Sequence, residues 1–290
     1  PQEKMLEYTC IFIDRRYVMS VQRLLASDFD GTLCRSFQQI TDRDRKAVRS
    51  FIQNHVFGIV SGRDPRSLQA ACRQLQIPYH FLITYGGGAA FDAEGNMLFQ
   101  HTLSDDLRDM IDVLCARASL LVAVYGRDRV WMQINGHEEM CDRYVQTIRS
   151  LYPLVDHPSD IDAICIISAE CQSAQEAEQL AAFIANRYPQ AQTAVNRNSI
   201  DISAKGVNKA TALSAVARHF HIDPSQVAAI GDGRNDLCLL EHFYGFAIRG
   251  DQVLEAAARH TVDDIAEAIA ILHDRSTRNA DTDNRRTVWK

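Results

Sequence analysis

The chain has 290 residues, 46% of them hydrophobic and 23% charged, enough to bury a full core and long enough for two domains. A formal charge of -6, with no dense Lys/Arg run interleaved with aromatics, argues against a nucleic-acid or acidic-membrane binder. No apolar stretch reaches about 18 residues, and the 8 cysteines form no Cys-x-x-Cys pair, so the expectation is a cytoplasmic protein with reduced thiols and no membrane span.

Residues 1–18 carry mixed charge and one brief apolar run, Cys10-Ile11-Phe12-Ile13, and are expected to lie outside the fold as an N-terminal extension. Residues 21–27 then read as a buried strand that ends at Asp28-Phe29-Asp30-Gly31-Thr32-Leu33. Side chains two apart on an extended segment share a face, so Asp28 and Asp30 point together beyond the strand's carboxyl end, where open α/β sheets bind ligands. Two such carboxylates suit a divalent cation, a nucleophile and a proton carrier. Taken alone the six residues also read as a solvated turn, whereas a calcium loop would need further oxygen ligands that Leu33-Cys34-Arg35 does not supply.

A helix opens at Thr41 to Asp44 and runs to about Asn54, and a second strand covers Val56–Val60. Ser61-Gly62-Arg63 ends that strand in a position suited to phosphate, and Asp64-Pro65 opens the next helix as N-cap and first residue. A third strand, Phe81–Thr84, leads to Tyr85-Gly86-Gly87-Gly88-Ala89, which lacks P-loop and dinucleotide spacing and reads as a flexible crossing between domains.

From residue 88 to about 203 the pattern changes. A hairpin at 91–99, helices at 104–118, 137–151 and 173–188, and strands at 120–125, 130–134, 163–168 and 199–203 predict an α+β cap domain over 88–203. Its amphipathic helices are expected on one face of an antiparallel sheet. The core domain, 19–87 and 204–275, resumes with a helix starting near Lys205 to Lys209. A strand at 227–230 follows, ending in Gly231-Asp232-Gly233-Arg234-Asn235-Asp236, which puts carboxylates opposite Asp28. One more strand (Tyr244–Ile248), two short helices and a polar tail at 276–290 complete the chain.

Four motifs thus occur in one order: Asp28-x-Asp30-Gly31-Thr32, Ser61-Gly62-Arg63, Lys209, and Gly231-Asp232-Gly233-x-Asn235-Asp236. Together they resemble the haloacid dehalogenase (HAD) superfamily, and the place of the insert resembles its Cof-type branch, whose large α/β cap enters between the serine and lysine motifs. The resemblance covers about residues 20–272 and departs at Tyr85-Gly86-Gly87 and at Ala247-Ile248-Arg249-Gly250. It implies an α/β fold with a doubly wound, mostly parallel Rossmann-like core sheet. It also implies a Mg2+-dependent phosphatase acting on a small-molecule phosphate ester, a sugar phosphate or similar metabolite.

By the same resemblance Asp28 is the nucleophile that forms an aspartyl-phosphate, and Asp30 is acid and then base. Mg2+ would be held by Asp28, the Asp30 carbonyl and Asp232, with Asp236 behind them. Lys209 would complete the catalytic set, and Thr32, Ser61, Gly62, Lys209 and Asn235 would grip the phosphoryl oxygens. Arg127, Arg129, His137, Asn196 and Arg197 are candidates in the cap for reaching the leaving group. Two other readings stand beside this one. A phosphosugar mutase of the same superfamily is disfavoured by the short segment between Leu33 and Ser61, and a non-enzymatic phosphometabolite-binding regulator by the intact set Asp28, Asp30, Lys209 and Asp232. The oligomeric state stays open.

Overall fold

A computed structural model describes residues 22–35, 39–136 and 138–274, without the side chains of 138–143. The expected extension at 1–18 and tail at 276–290 lie outside the described residues. Six short apolar runs form parallel strands: β1 (Leu24–Ser27), β2 (Val56–Val60), β3 (Phe81–Thr84), β11 (Val227–Gly231), β12 (Tyr244–Ile248) and β13 (His260–Val262). They lie in the order β13-β12-β11-β1-β2-β3. β1, β2, β3 and β11 are buried along their whole length, as continuous apolar strands covered on both faces must be.

One face of this sheet buries Leu25, Phe57, Ile59 and Ile230 against α1 (Asp42–Phe51), α2 (Pro65–Gln74) and a final helix, α9, over residues 265–274. The other buries Leu24, Ala26 and Val60 against α6 (Lys209–His219) and α7 (Leu237–His242). α8 (Gln252–Ala257) packs beside β12. The result is the three-layer, doubly wound α/β architecture that the sequence predicts.

The insert builds a second sheet from β6 (Leu121–Tyr125), β7 (Val130–Ile134), β8 (Ile166–Glu170), β9 (Ala191–Asn196) and β10 (Ser199–Ala204), all antiparallel, in the order β7-β6-β8-β10-β9. α3 (Asp109–Arg117) and α5 (Ala174–Arg187) cover one face, packing Leu114, Leu180 and Ile184 on Val122, Val124, Ile167 and Ile200.

Four details differ from expectation. α4 (Glu138–Leu151) packs on the opposite face, setting Val145 and Ile148 on Leu121, Ala123 and Tyr125, so the helices are not confined to one side. The hairpin expected inside the cap, β4 (Ala89–Asp92) and β5 (Met97–Gln100), pairs antiparallel with β3 and extends the large sheet. The chain therefore leaves that sheet after Gln100 and returns after Ala204.

Tyr85-Gly86-Gly87 is a tight turn rather than a flexible crossing. Gly87, at φ 117°, lets the Asn208 carbonyl oxygen come within 2.4 Å of where a Cβ would stand, which seats the turn on the start of α6. β9 was not anticipated: Ala191-Gln192-Thr193-Ala194-Val195-Asn196 is a half-exposed edge strand with little apolar alternation.

Candidate active site

β1 and β11 lie side by side at the switch point of the sheet. From β1 the chain moves to β2 and β3 on one side, and from β11 to β12 and β13 on the other, which opens a crevice at the strands' carboxyl ends. Asp28 is anchored there by its own N–H, which donates to the Ile230 carbonyl at 2.9 Å. From the β11 side, Asp232 meets Asp28 with Asp236 behind, and one carboxylate oxygen from each of the three lies within 4.8 Å of the others. Gly31 is what allows this approach. At φ 94° a Cβ there would stand 2.1 Å from Asp232 Oδ2, so no larger residue fits without displacing that carboxylate.

Three carboxylates this close need a counter-charge, and Lys209 supplies one. As first residue of α6, whose turn is capped by the Asn208 side chain accepting from Ala210 N and Thr211 N, its side chain is aimed back under β1 and β11. Nζ donates to Asp28 Oδ1 at 2.7 Å and to Asp236 Oδ1 at 2.5 Å, and Lys209 is 2% exposed. Burial pushes the Asp28 carboxyl well above its usual range, Asp236 pushes it further, and Lys209 opposes both. Burial works against the charge on Lys209, yet the Asp236 and Asp28 carboxylates hold its pKa above the ordinary lysine value. Asp236 is itself fixed, fully buried and accepting from Gly233 N at 3.1 Å.

Asp30 stands apart from this cluster. Its carboxylate is bound by both arms of Arg63, Nε to Oδ2 and Nη2 to Oδ1 at 2.6 Å each, in the fork geometry that only arginine offers. Arg63 also stacks over Phe29, 4.8 Å from the ring centroid, which is how the residue between the two aspartates helps to place the partner of Asp30.

A cavity of about 1050 Å3 opens above these groups, lined by Asp28, Asp30, Ser61, Gly62, Asp232 and Asn235 from the core. Ser61, 2% exposed, accepts from Arg63 N at 3.2 Å. Thr32, Lys209 and Asp236, by contrast, belong to the layer beneath. Thr32 Oγ1 donates to Asp232 Oδ1 at 2.7 Å, so its hydroxyl orients a carboxylate and is not turned to the cavity as expected. Among the expected cap residues, Asn196 and Arg197 line the cavity. Arg127 and Arg129 turn instead to Gln100 and Asp128, and His137 lies outside the described residues. Arg63, Tyr85, Ser168, Glu170 and Asp201 were given no role by the sequence; only the alternation of Ile167 and Ala169 with Ser168 and Glu170 hinted at a second, polar face.

Asp28, Asp232 and Asp236 form an all-oxygen donor set whose charge exceeds what Lys209 neutralises, and such a set fits a hard divalent cation. Among the described residues no helix is long and apolar enough to cross a membrane.

Comparison with known proteins agrees with this fold. A 5-amino-6-(5-phospho-D-ribitylamino)uracil phosphatase of Bacillus subtilis is 27% identical over 237 residues, covering 77% of this chain and 84% of the relative. A solved haloacid dehalogenase-like hydrolase from B. subtilis superposes with a TM-score of 0.75 at 18% identity, covering 86% of this chain and 99% of that one. A solved HAD subclass IIB sugar phosphatase superposes at 0.72 and 18% identity, covering 87% and 99%. The family model of haloacid dehalogenase-like hydrolases matches residues 25–273, a span that holds the β1 aspartates, Ser61, Lys209 and the β11 carboxylates, and the chain belongs to that family.

Proposed function

We propose that the protein is a phosphoric monoester hydrolase that works through an aspartyl-phosphate on Asp28, with a small phosphorylated metabolite, a sugar phosphate or similar ester, as substrate. The observation that carries this reading is the division of labour between two neighbouring aspartates. Asp28 is buried and held by Lys209, while Asp30 stands outside the metal-suited cluster, with its side chain 47% exposed at the cavity. A binding module gains nothing from a proton carrier beside an oriented nucleophile.

In the first step an Asp28 oxygen forms a bond to phosphorus as the ester P–O bond breaks, and Asp30 gives its proton to the departing alkoxide. In the second, Asp30 takes a proton from water as that oxygen attacks phosphorus. The P–O bond to Asp28 breaks, inorganic phosphate leaves and the Asp28 carboxylate is restored. Lys209 favours the ionised form of Asp28 and orients it, and Ser61, the Gly62 N–H and Asn235, which line the cavity, would take phosphoryl oxygens. Asp28 and Asp232, backed by Asp236, would hold Mg2+, which when bound offsets negative charge on the phosphoryl group.

The phosphatase activity of the B. subtilis relative supports the reaction type. Chelation tests the metal: EDTA should silence hydrolysis of p-nitrophenyl phosphate and Mg2+ restore it. Full activity after exhaustive chelation would refute the metal assignment.

A further inference from the structure

The cavity reaches from the reaction centre up to the inner face of the smaller sheet. Ser168 and Glu170 of β8 and Ser199 and Asp201 of β10 share that face, Ser199 opposite Glu170 and Asp201 opposite Ser168, and all four line the cavity. The Ser168 hydroxyl donates to Asp201 Oδ1, while Asp201 Oδ2 lies 3.1 Å from where a Cβ on Gly62 would stand. The polar patch therefore touches the loop that carries Ser61.

Neither carboxylate has a cation at ion-pair distance among the described residues. Lys209 acts on Asp201 only at a distance, its ammonium being taken by Asp28 and Asp236, and Arg197 lines the same cavity from the exposed turn between β9 and β10. Burial, with Asp201 adding to it, pushes Glu170 up to about 7, and burial pushes Asp201 up to about 6 against the hydrogen bond from Ser168 and the charge of Lys209.

A second feature of the chamber also lacks a partner. Tyr85, 3% exposed and lining the cavity, has a hydroxyl with no hydrogen bond of good geometry; its neighbour Tyr152 gives its own proton to Asp64. Tyr85 is held at φ 54°, a conformation that costs a bulky side chain, so the turn after β3 keeps an aromatic ring at the cavity wall at the expense of backbone strain. Tyr125 and Tyr144, hydroxyl to hydroxyl at 2.6 Å, continue that wall.

Half-buried carboxylates that lack a counter-charge are costly unless further groups donate to them. We infer that this chamber selects the leaving group by charge and donor content: it takes phosphorylated polyols or aminopolyols, whose hydroxyls or amines donate to Glu170 and Asp201, and rejects esters that carry a second negative charge. This rests on the phosphatase reading and adds a substrate class to it. A carboxylate or second phosphate brought within several ångströms of that pair meets like charge in a partly desolvated site, enough to lower kcat/KM about 10-fold or more.

The test compares sorbitol 6-phosphate with 6-phosphogluconate, which share a six-carbon polyhydroxy chain and differ at the far end, hydroxymethyl against carboxylate. p-Nitrophenyl phosphate serves as reference, all at pH 8 with Mg2+. The expected result is a kcat/KM ratio of about 10-fold or more in favour of sorbitol 6-phosphate in the wild type, shrinking toward parity in Glu170→Gln and in the double variant Glu170→Gln/Asp201→Asn. A wild-type ratio near one or reversed, with p-nitrophenyl phosphate still hydrolysed, overturns the inference and leaves the phosphatase reading intact. A wild-type preference left unchanged in both variants, each checked by thermal melting, overturns the assignment to Glu170 and Asp201. No hydrolysis of p-nitrophenyl phosphate by the wild type overturns the phosphatase reading and this inference with it.

Discussion

Replacing Lys209 with methionine should destabilise the protein in a way that depends on pH, and the size of the effect follows from its surroundings. The ammonium lies 2.7 Å from Asp28 and 2.5 Å from Asp236, and the three side chains are 3%, 8% and 1% exposed, so water can replace little of what is lost. Removing one partner of such a buried group leaves uncompensated charge and costs about 3–5 kcal/mol. Methionine keeps the length and packing of the stem, so the charge is what is tested.

The relief available to the variant is protonation of a carboxyl, which costs about 1.4 kcal/mol for each pH unit above that group's pKa. Asp28 already titrates above its usual range because of burial and Asp236, and losing Lys209 removes the main influence that lowers it. A carboxyl whose folded pKa is raised is harmless at pH below its unfolded value and destabilises the fold as pH rises through the raised value. Urea unfolding followed by circular dichroism should therefore find the variant about 4 kcal/mol less stable than wild type at pH 8 and about 2 kcal/mol or less below it at pH 5. An equal deficit at both pH values would mean that lost packing, not buried charge, explains the loss. A deficit under about 1 kcal/mol at pH 8 would refute the reasoning outright.

Gly31→Ala should cost about 1–3 kcal/mol from the backbone alone. Because its Cβ would collide with Asp232, it should also raise the Mg2+ concentration for half-maximal activity several-fold; normal Mg2+ activation would show that Asp232 is not a ligand. Arg63→Lys keeps the charge but loses the fork on Asp30, so hydrolysis of alkyl phosphates should fall by roughly 100-fold and that of p-nitrophenyl phosphate far less, since only the alkyl leaving group needs a well-placed proton. Equal losses on both would make Arg63 a contact of the phosphoryl group and not a positioning residue for Asp30.

The candidate site was legible in the sequence as a set of local motifs whose joint order resembles the HAD superfamily. Asp28 and Asp30 end one apolar run, Asp232 and Asp236 end another, and Ser61 and Lys209 sit at a strand end and a helix start. Parallel order then brings these ends together without further information. Sheet membership was not legible. The alternation of β4 and β5 is the same whether the hairpin extends β3 or opens the cap, and the period of α4 marks an apolar side without saying which face of the sheet it covers. Arg63 escaped notice because its partner is Asp30, whose place beside it depends on the β1–β2 pairing. Glu170 and Asp201 carry no local motif, and they become cavity walls only because the smaller sheet turns that face toward Gly62.

The most direct test of the central claim is to trap the intermediate. With Asp30→Asn the first step on p-nitrophenyl phosphate proceeds, since the aryl oxygen departs without a proton, while hydrolysis of the aspartyl-phosphate lacks its base. Acid quench within the burst, followed by peptide mass spectrometry, should find one phosphoryl group per chain on the peptide that contains Asp28, and none when Asp28 is also changed to asparagine. Turnover of the aryl ester with no burst and no phosphoryl group on Asp28 would contradict covalent catalysis at this residue.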